Sequence, residues 1–195
     1  MVILQKSTDR RVVRLAEQLE IAKINPEIID RIMEGGENIR VKTSFEDKAD
    51  WFRVAMNKMD ELLDIENRKA IREGCACHLG GNKARTCNKI VQEYKSLEER
   101  INAVSAKYFI CGRVTLKGNG EIIACPEPED RYYGQCVCLP KSREPISITY
   151  CYCCQGHIKH HLQTALGYQL EGGVIASPLS SGGKYPCTYS FRVKE

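Results

Sequence analysis

Along the first hundred residues, apolar side chains recur at three- and four-residue spacing, the period of helices buried on one side. Val12, Val13, Leu15, Ala16 and Leu19 mark a first helix, capped by Ser7 or Thr8 and running to about Lys23. Asn25-Pro26 starts a second, because proline suits the first helical position. Ile28, Ile29, Ile32 and Met33 supply its stripe, and Gly35-Gly36 ends it. Ser44 with Asp47 caps a third helix, along which Trp51, Phe52, Val54, Ala55, Met59, Leu62 and Leu63 recur as core residues. Asp64 caps a short helix stopped by Gly74. A further run, about Lys83 to Lys107, is restarted by the capping box Ser96-x-x-Glu99.

Near Tyr108 the pattern changes. Tyr108 to Leu116 is rich in strand formers, Lys117-Gly118-Asn119-Gly120 is a turn, and Glu121 to Cys125 returns, which predicts a β-hairpin. A loop from Pro126 to Gly134 precedes a short strand, Gln135 to Leu139. A second loop, Pro140 to Pro145, leads to a strand over Ile146 to Tyr152 that runs directly into a helix from about Cys154 to Leu166, ended by Gly167. Strands near Tyr168–Ala176 and Cys187–Val193 follow. The expected class is α+β: a helical N-terminal half, then a mixed or antiparallel sheet with one packed helix. The natural division is a helical region, 1–107, and a cysteine-rich, ligand-binding-like α+β region, 108–195; the two can also form one integrated domain.

Charge narrows the partners. The 29 Lys and Arg against 25 Asp and Glu give a net +4, spread along the helices. The modest basic cluster Lys83, Arg85 and Lys89, with Lys95 beyond, reads as a solvated helix face, so no nucleic-acid partner is expected. No stretch approaches the roughly 20 apolar residues of a membrane span, and the first residues lack the apolar run of a signal peptide. The expected setting is a bacterial-type cytoplasm without a membrane partner. The pattern for HExxH, GxSxG or GxGxxG is absent, and Gly182-Gly183-Lys184 lacks the first glycine and following helix of a phosphate loop.

Cysteine is the anomaly, with eleven residues. An odd count without a leader points to reduced thiols, which serve as small buried residues, metal ligands or reactive groups. The richest segment is Tyr150-Cys151-Tyr152-Cys153-Cys154-Gln155-Gly156-His157. In a strand, residues two apart share a face, so Cys151 and Cys153 can converge; Cys136 and Cys138 are also two apart, and Cys187 opens the last strand. Thiolates and imidazole suit zinc, and the candidate ligands are Cys136, Cys138, Cys151, Cys153 and Cys187, with His157 in reserve. Paired CxxC knuckles are missing. The alternative is a reactive thiol: Cys154 at a helix start as nucleophile, with His157 one turn on as its base. A second group, Cys75, Cys77, His78 and Cys87, surrounds a glycine-rich break between helices. His160 and His161 read as an exposed polar face.

From Tyr150 onward the chain resembles the 4-vinyl reductase-type ligand-binding domain and the related aminothiazoline-carboxylate hydrolase-like bacterial proteins. The resemblance rests on Cys151-Tyr-Cys-Cys154-x-Gly156, a helix ending at Gly167, Ser177, Gly182-Gly183 and Cys187-Thr-Tyr-Ser-Phe191. It covers roughly a quarter of the chain well and implies an α+β domain enclosing a small apolar or sulfur-containing ligand. Some relatives bind zinc through a Cys, a Glu-x-x-Cys pair and a final Cys. Cys153 and Cys187 fall at the outer two positions, whereas the middle pair falls on Ala176 and Leu179, which cannot ligate. The implied zinc site is therefore lost or rebuilt from Cys136, Cys138, Cys151 or Cys154. The expected function is a small-molecule-binding protein with a zinc-braced cysteine site. The alternative is a cysteine-dependent hydrolase or redox enzyme acting on a small sulfur- or nitrogen-containing molecule. Tyr150, Tyr152, Ile158 and Leu162 are expected to line or underpack the pocket.

Overall fold

The computed structural model describes residues 7–77, 79–126, 136 and 138–194. Six helices come first: α1 (Arg10–Ile21), α2 (Pro26–Met33), α3 (Phe45–Leu62), α4 (Ile65–Gly74), α5 (Gly81–Glu93) and α6 (Leu97–Ala106). Most boundaries are set by local chemistry. The side chains of Asn25, Ser44, Asp64 and Ser96 each accept a hydrogen bond from a first-turn backbone N–H, and Ser96 with Glu99 completes a capping box. The cap of α1 is Asp9, which accepts from the Arg11 N–H, instead of Ser7 or Thr8. Gly35 takes the left-handed conformation (φ +77°) just past α2, as the glycine pair predicts.

The hairpin follows as β1 (Arg113–Leu116) and β2 (Ile122–Cys125), then α7 (Tyr152–Leu166), β3 (Leu170–Ala176) and β4 (Thr188–Val193). The strands form one antiparallel sheet in the order β1-β2-β4-β3. The architecture is α+β, with helices in the N-terminal half and strands in the C-terminal half. Among the described residues no helix is long and apolar enough to cross a membrane.

Two expected strands differ. Ile146–Tyr152 is not extended: Ile148–Cys151 forms a 3-10 turn that runs into α7. The hydroxyl of Ser147 accepts the Thr149 N–H, and the Thr149 hydroxyl donates to Asp60 of α3 at 2.6 Å. These side-chain bonds hold the β-branched run in a turn, where strand propensity alone favours a ladder. Of the predicted strand Gln135–Leu139, Gln135 and Val137 lie outside the described residues, and Cys136, Cys138 and Leu139 are not in a strand. The loop 127–134 and His78 also lie outside the description.

Two apolar cores hold the chain together. The first gathers Val12, Leu15 and Leu19 of α1, Ile32 and Met33 of α2, Phe52, Met56 and Met59 of α3, and Ile71 of α4, with Leu139, Ile146, Tyr150 and Leu179. The second packs Ile90, Ile101 and Val104 of α5 and α6, and Ile158, Leu162 and Leu166 of α7, against Val114, Ile122, Tyr189 and Phe191 of the sheet. Each core takes residues from both sides of residue 107, so the hydrophobic packing joins the two halves.

Helix α7 is the joint. It packs on α4 and α5 and on β3. Gln155 and Lys159 both bond Glu73 of α4, at 2.7 and 2.8 Å. Gly156 makes this approach close enough: a Cβ there would lie 2.7 Å from the Glu73 carbonyl oxygen and 2.9 Å from its Cα. Gly156→Ala should therefore destabilise the fold by about 1–3 kcal/mol, as overpacking does, although alanine is the better helix former. Denaturant unfolding measures this, and a variant as stable as the parent would mean that the helices have room to part.

Candidate functional site

Where α7 begins, it meets α1, α4 and the turn after α4 around a cavity of about 420 Å³. Its walls are Arg10, Arg11 and Arg14 of α1, Phe45, Arg72 of α4, Cys75, Cys77, Cys138, Tyr150, Cys153 and Cys154. No carboxylate is among these lining residues. Helical spacing explains the α1 contribution, because residues three and four apart share a face and Arg14 is so placed from both Arg11 and Arg10.

The arginines hold the backbone that carries the thiols. Arg14 donates to the Ala76 carbonyl at 2.8 Å and reaches the Cys75 carbonyl at 3.4 Å. Arg11 donates to the Cys138 carbonyl. Arg72 is 2% exposed and donates through one Nη to the Tyr150 carbonyl at 3.0 Å, its guanidinium 4.8 Å above the Tyr150 ring. Its Nε is buried and has no hydrogen-bond partner, and no carboxylate among the described residues pairs with it. A charge in that position is costly unless something anionic faces it.

The thiols fall into groups that the strand argument did not give. Cys136, Cys138 and Cys154 are hydrogen-bond neighbours in series. Cys153 donates to the Cys75 carbonyl at 3.3 Å, and Cys75 to the Arg14 carbonyl at 3.8 Å. Cys151 and Cys153 diverge because they lie on a helical turn, not a strand: Cys151 donates to Ser177 Oγ at 3.1 Å. Cys187 lies beside the Tyr189 hydroxyl. Of the five expected zinc ligands, Cys136 and Cys138 neighbour each other and Cys138 and Cys153 share the cavity wall, whereas Cys151 bonds Ser177 and Cys187 lies beside Tyr189. Among the described residues no three His, Cys, Asp or Glu side chains are arranged to hold one metal ion.

The expected nucleophile, Cys154, sits on the first turn of α7 and lines the cavity. A hydrogen bond with Cys138 favours its thiolate, but burial and the neighbouring sulfurs outweigh it and push the pKa above that of an ordinary thiol. That is opposite to the depression expected from a helix start. Burial raises Cys153 to about 12, against the pull of Arg72. Cys138 stands at about 12: the bond to Cys136 lowers it, while the bond to Cys154 and burial raise it further. For His157, Nδ1 lies 2.6 Å from the Cys77 carbonyl and Nε2 lies 3.4 Å from Lys83 Nζ. The ring thereby ties α7 to the turn carrying Cys77.

No family model, curated protein or solved structure matches the chain. The site stands on its geometry.

Several residues stand elsewhere than expected. His161 is fully buried, its ring 4.7 Å from that of His157 and its Nδ1 4.0 Å from the Cys87 sulfur, so the exposed-face reading fails for it. Cys87 joins the second core and leaves Cys75 and Cys77 to the cavity. Of the four residues expected to line or underpack the pocket, Tyr150 lines it; Ile158 and Leu162 fill the second core, and Tyr152 packs under Lys69. The arginine wall was not foreseen. The Arg10-Arg11-x-x-Arg14 spacing was a usable signal for three of its members, but a single arginine in a polar helix gives no sign that it is buried.

Proposed function

We propose that this chain is a binding protein whose cavity receives a small anionic ligand. The observation that carries the reading is Arg72: a buried guanidinium at the cavity wall, with an unpaired Nε and no carboxylate partner among the described residues. An anion in the cavity supplies the missing charge where screening by water is weak. Arg10, Arg11 and Arg14 at the wall add to a positive field that draws such a ligand in. The volume lies in the range of small-molecule pockets. The thiols and the Tyr150 and Phe45 rings offer soft, weakly polar surface to the rest of the ligand.

The test is thermal or denaturant unfolding with a panel of small carboxylates, thiocarboxylates and phosphates. A ligand present at a hundred times its Kd should stabilise the protein by about 2.7 kcal/mol. Arg72→Met should abolish that gain. Because Arg72→Met also removes the bond to the Tyr150 carbonyl, the readout is the ligand-induced gain measured against the variant's own stability without ligand. An undiminished gain in Arg72→Met, or no gain from any anion, defeats the reading.

A further inference from the structure

We propose that the ligand of this cavity is a two-ended organic dianion, an elongated dicarboxylate with one carboxylate toward Arg72 at the buried end, the other toward Arg10 and Arg14 at the rim, and an apolar middle. The proposal rests on the reading of the cavity as an anion site and names the class of its ligand.

The first support is the charge balance of the wall. Arg10, Arg11, Arg14 and Arg72 line the cavity, and no carboxylate is among the described lining residues. Arg11 is already paired with Asp9, which Lys48 shares. Arg10, Arg14 and Arg72 make no ion pair among the described residues. Cys75, beside Arg72, supplies no counter-charge, because burial outweighs the pull of Arg72 and Arg14 and keeps its thiol protonated. A single negative charge leaves most of this positive field unbalanced.

The second support is where these charges stand. Exposure falls along the cavity: Arg10 is exposed and Phe45 is 46% exposed, which makes them the rim, whereas Arg72 and Tyr150 are 2% and 3% exposed, which makes them the inner end. Arg14 lies one helical turn from Arg10 on the same face of α1, so the two can share one group at the rim. Arg72 belongs to a different helix, α4. The positive charge is therefore placed at two ends, and a ligand that matches both carries its negative charge at two ends as well.

The third support is the rest of the wall. The Phe45 and Tyr150 rings and the sulfurs of Cys138, Cys153 and Cys154 complete it. These sulfurs are uncharged near neutral pH, since burial and their neighbours push Cys138 and Cys153 up to about 12 and Cys154 above an ordinary thiol. Neutral thiols and aromatic faces favour a methylene chain or a ring over further charge, so the middle of the ligand is apolar.

The experiment is calorimetric titration of the full chain with probes matched in carbon skeleton: hexanoate against adipate, octanoate against suberate, and p-toluate against terephthalate, with phenyl phosphate as a dianion charged at one end only. At low salt, at least one dicarboxylate should bind about threefold or more tighter than its monocarboxylate. Added salt should shrink that ratio, because the rim end is open to screening. Arg10→Gln should shrink it too, by weakening the dicarboxylate more than the monocarboxylate; Arg10 is exposed, so its loss does not challenge the fold. Arg72→Met should weaken both members of a pair alike. A ratio below about threefold in every pair, a ratio that Arg10→Gln leaves unchanged, or phenyl phosphate binding tighter than every dicarboxylate overturns the two-ended ligand. If it is overturned while monocarboxylates or phenyl phosphate still bind through Arg72, the anion-site reading stands. If no probe binds, both fall.

Discussion

Replacing Asp9 by alanine should cost about 3–5 kcal/mol of stability, the expected loss when one member of a buried ion pair is removed and the other stays. The Lys48 ammonium lies 3.1 Å from Asp9 Oδ2, and both side chains are 6% exposed. Asp9 also pairs with Arg11 at 3.3 Å and caps α1 through the Arg11 N–H. The loss therefore combines an uncompensated buried charge with a missing cap. It reaches the site as well, because Arg11 is the side chain that bonds the Cys138 carbonyl. Urea unfolding measures it. The double variant Asp9→Ala/Lys48→Met should recover most of the loss; a single variant within about 1 kcal/mol of the parent would show that the pair contributes little. The pH dependence has a definite sign. Burial pushes the Asp9 carboxyl up, but its hydrogen bonds and charge interactions with Arg11 and Lys48 outweigh this and hold it below its ordinary value of 3.8. The folded protein thus binds this proton less readily than the unfolded chain does. The contribution is complete above the ordinary carboxylate value and is lost as pH falls through the lowered one. Asp9→Ala should flatten that acid limb.

Phe52→Ala should cost about 3–5 kcal/mol, the range for a fully buried aromatic cut back to a methyl group. Phe52 is 0% exposed at the centre of the first core. Its ring meets Trp51 and Tyr150 edge-on, with centroids 4.9 and 5.1 Å apart, and lies 5.9 Å from the Arg11 guanidinium. Edge-on pairs contribute beyond the area they bury. The variant also removes the backing of Tyr150, the ring beneath Arg72. Anion-dependent stabilisation should therefore weaken together with basal stability, whereas a distant core variant such as Leu162→Ala, in the second core, should lower stability alone. Denaturant unfolding with and without anion separates the two effects. Equal loss of anion response in both variants would remove the proposed link between Phe52 and the cavity.

The two effects share a logic. The buried charges of α1 and the aromatic wall of α3 do not touch a ligand directly through Asp9 or Phe52. They fix the positions of Arg11 and Tyr150, which do line the cavity. Stability and site geometry are thus carried by the same core, and substitutions far from the thiols should be felt there.

The sequence by itself determined what short-range chemistry controls. The ends of α2, α3, α4 and α6 follow from Asn25-Pro26, Ser44, Asp64 and Ser96 with Glu99, because a cap needs only neighbours within one turn. The hairpin, the last two strands and the stop of α7 at Gly167 (φ +76°) were legible for the same reason. The α+β class followed from the change of period near Tyr108. Tertiary structure decided the rest. Ile146–Tyr152 has strand-forming residues, yet Ser147 and the bond from Thr149 to Asp60 of α3 hold it as a turn, and no local pattern encodes a partner 89 residues away. That one change sends Cys151 toward Ser177 and Cys153 toward Cys75, so these two do not converge as two-residue spacing on a strand predicts. The burial of His161 and Arg72 depends on which helix faces meet at Gly156, a contact invisible in either helix alone. Periodicity states that a face is buried; only packing states against what, and the cavity is made where those faces fail to close.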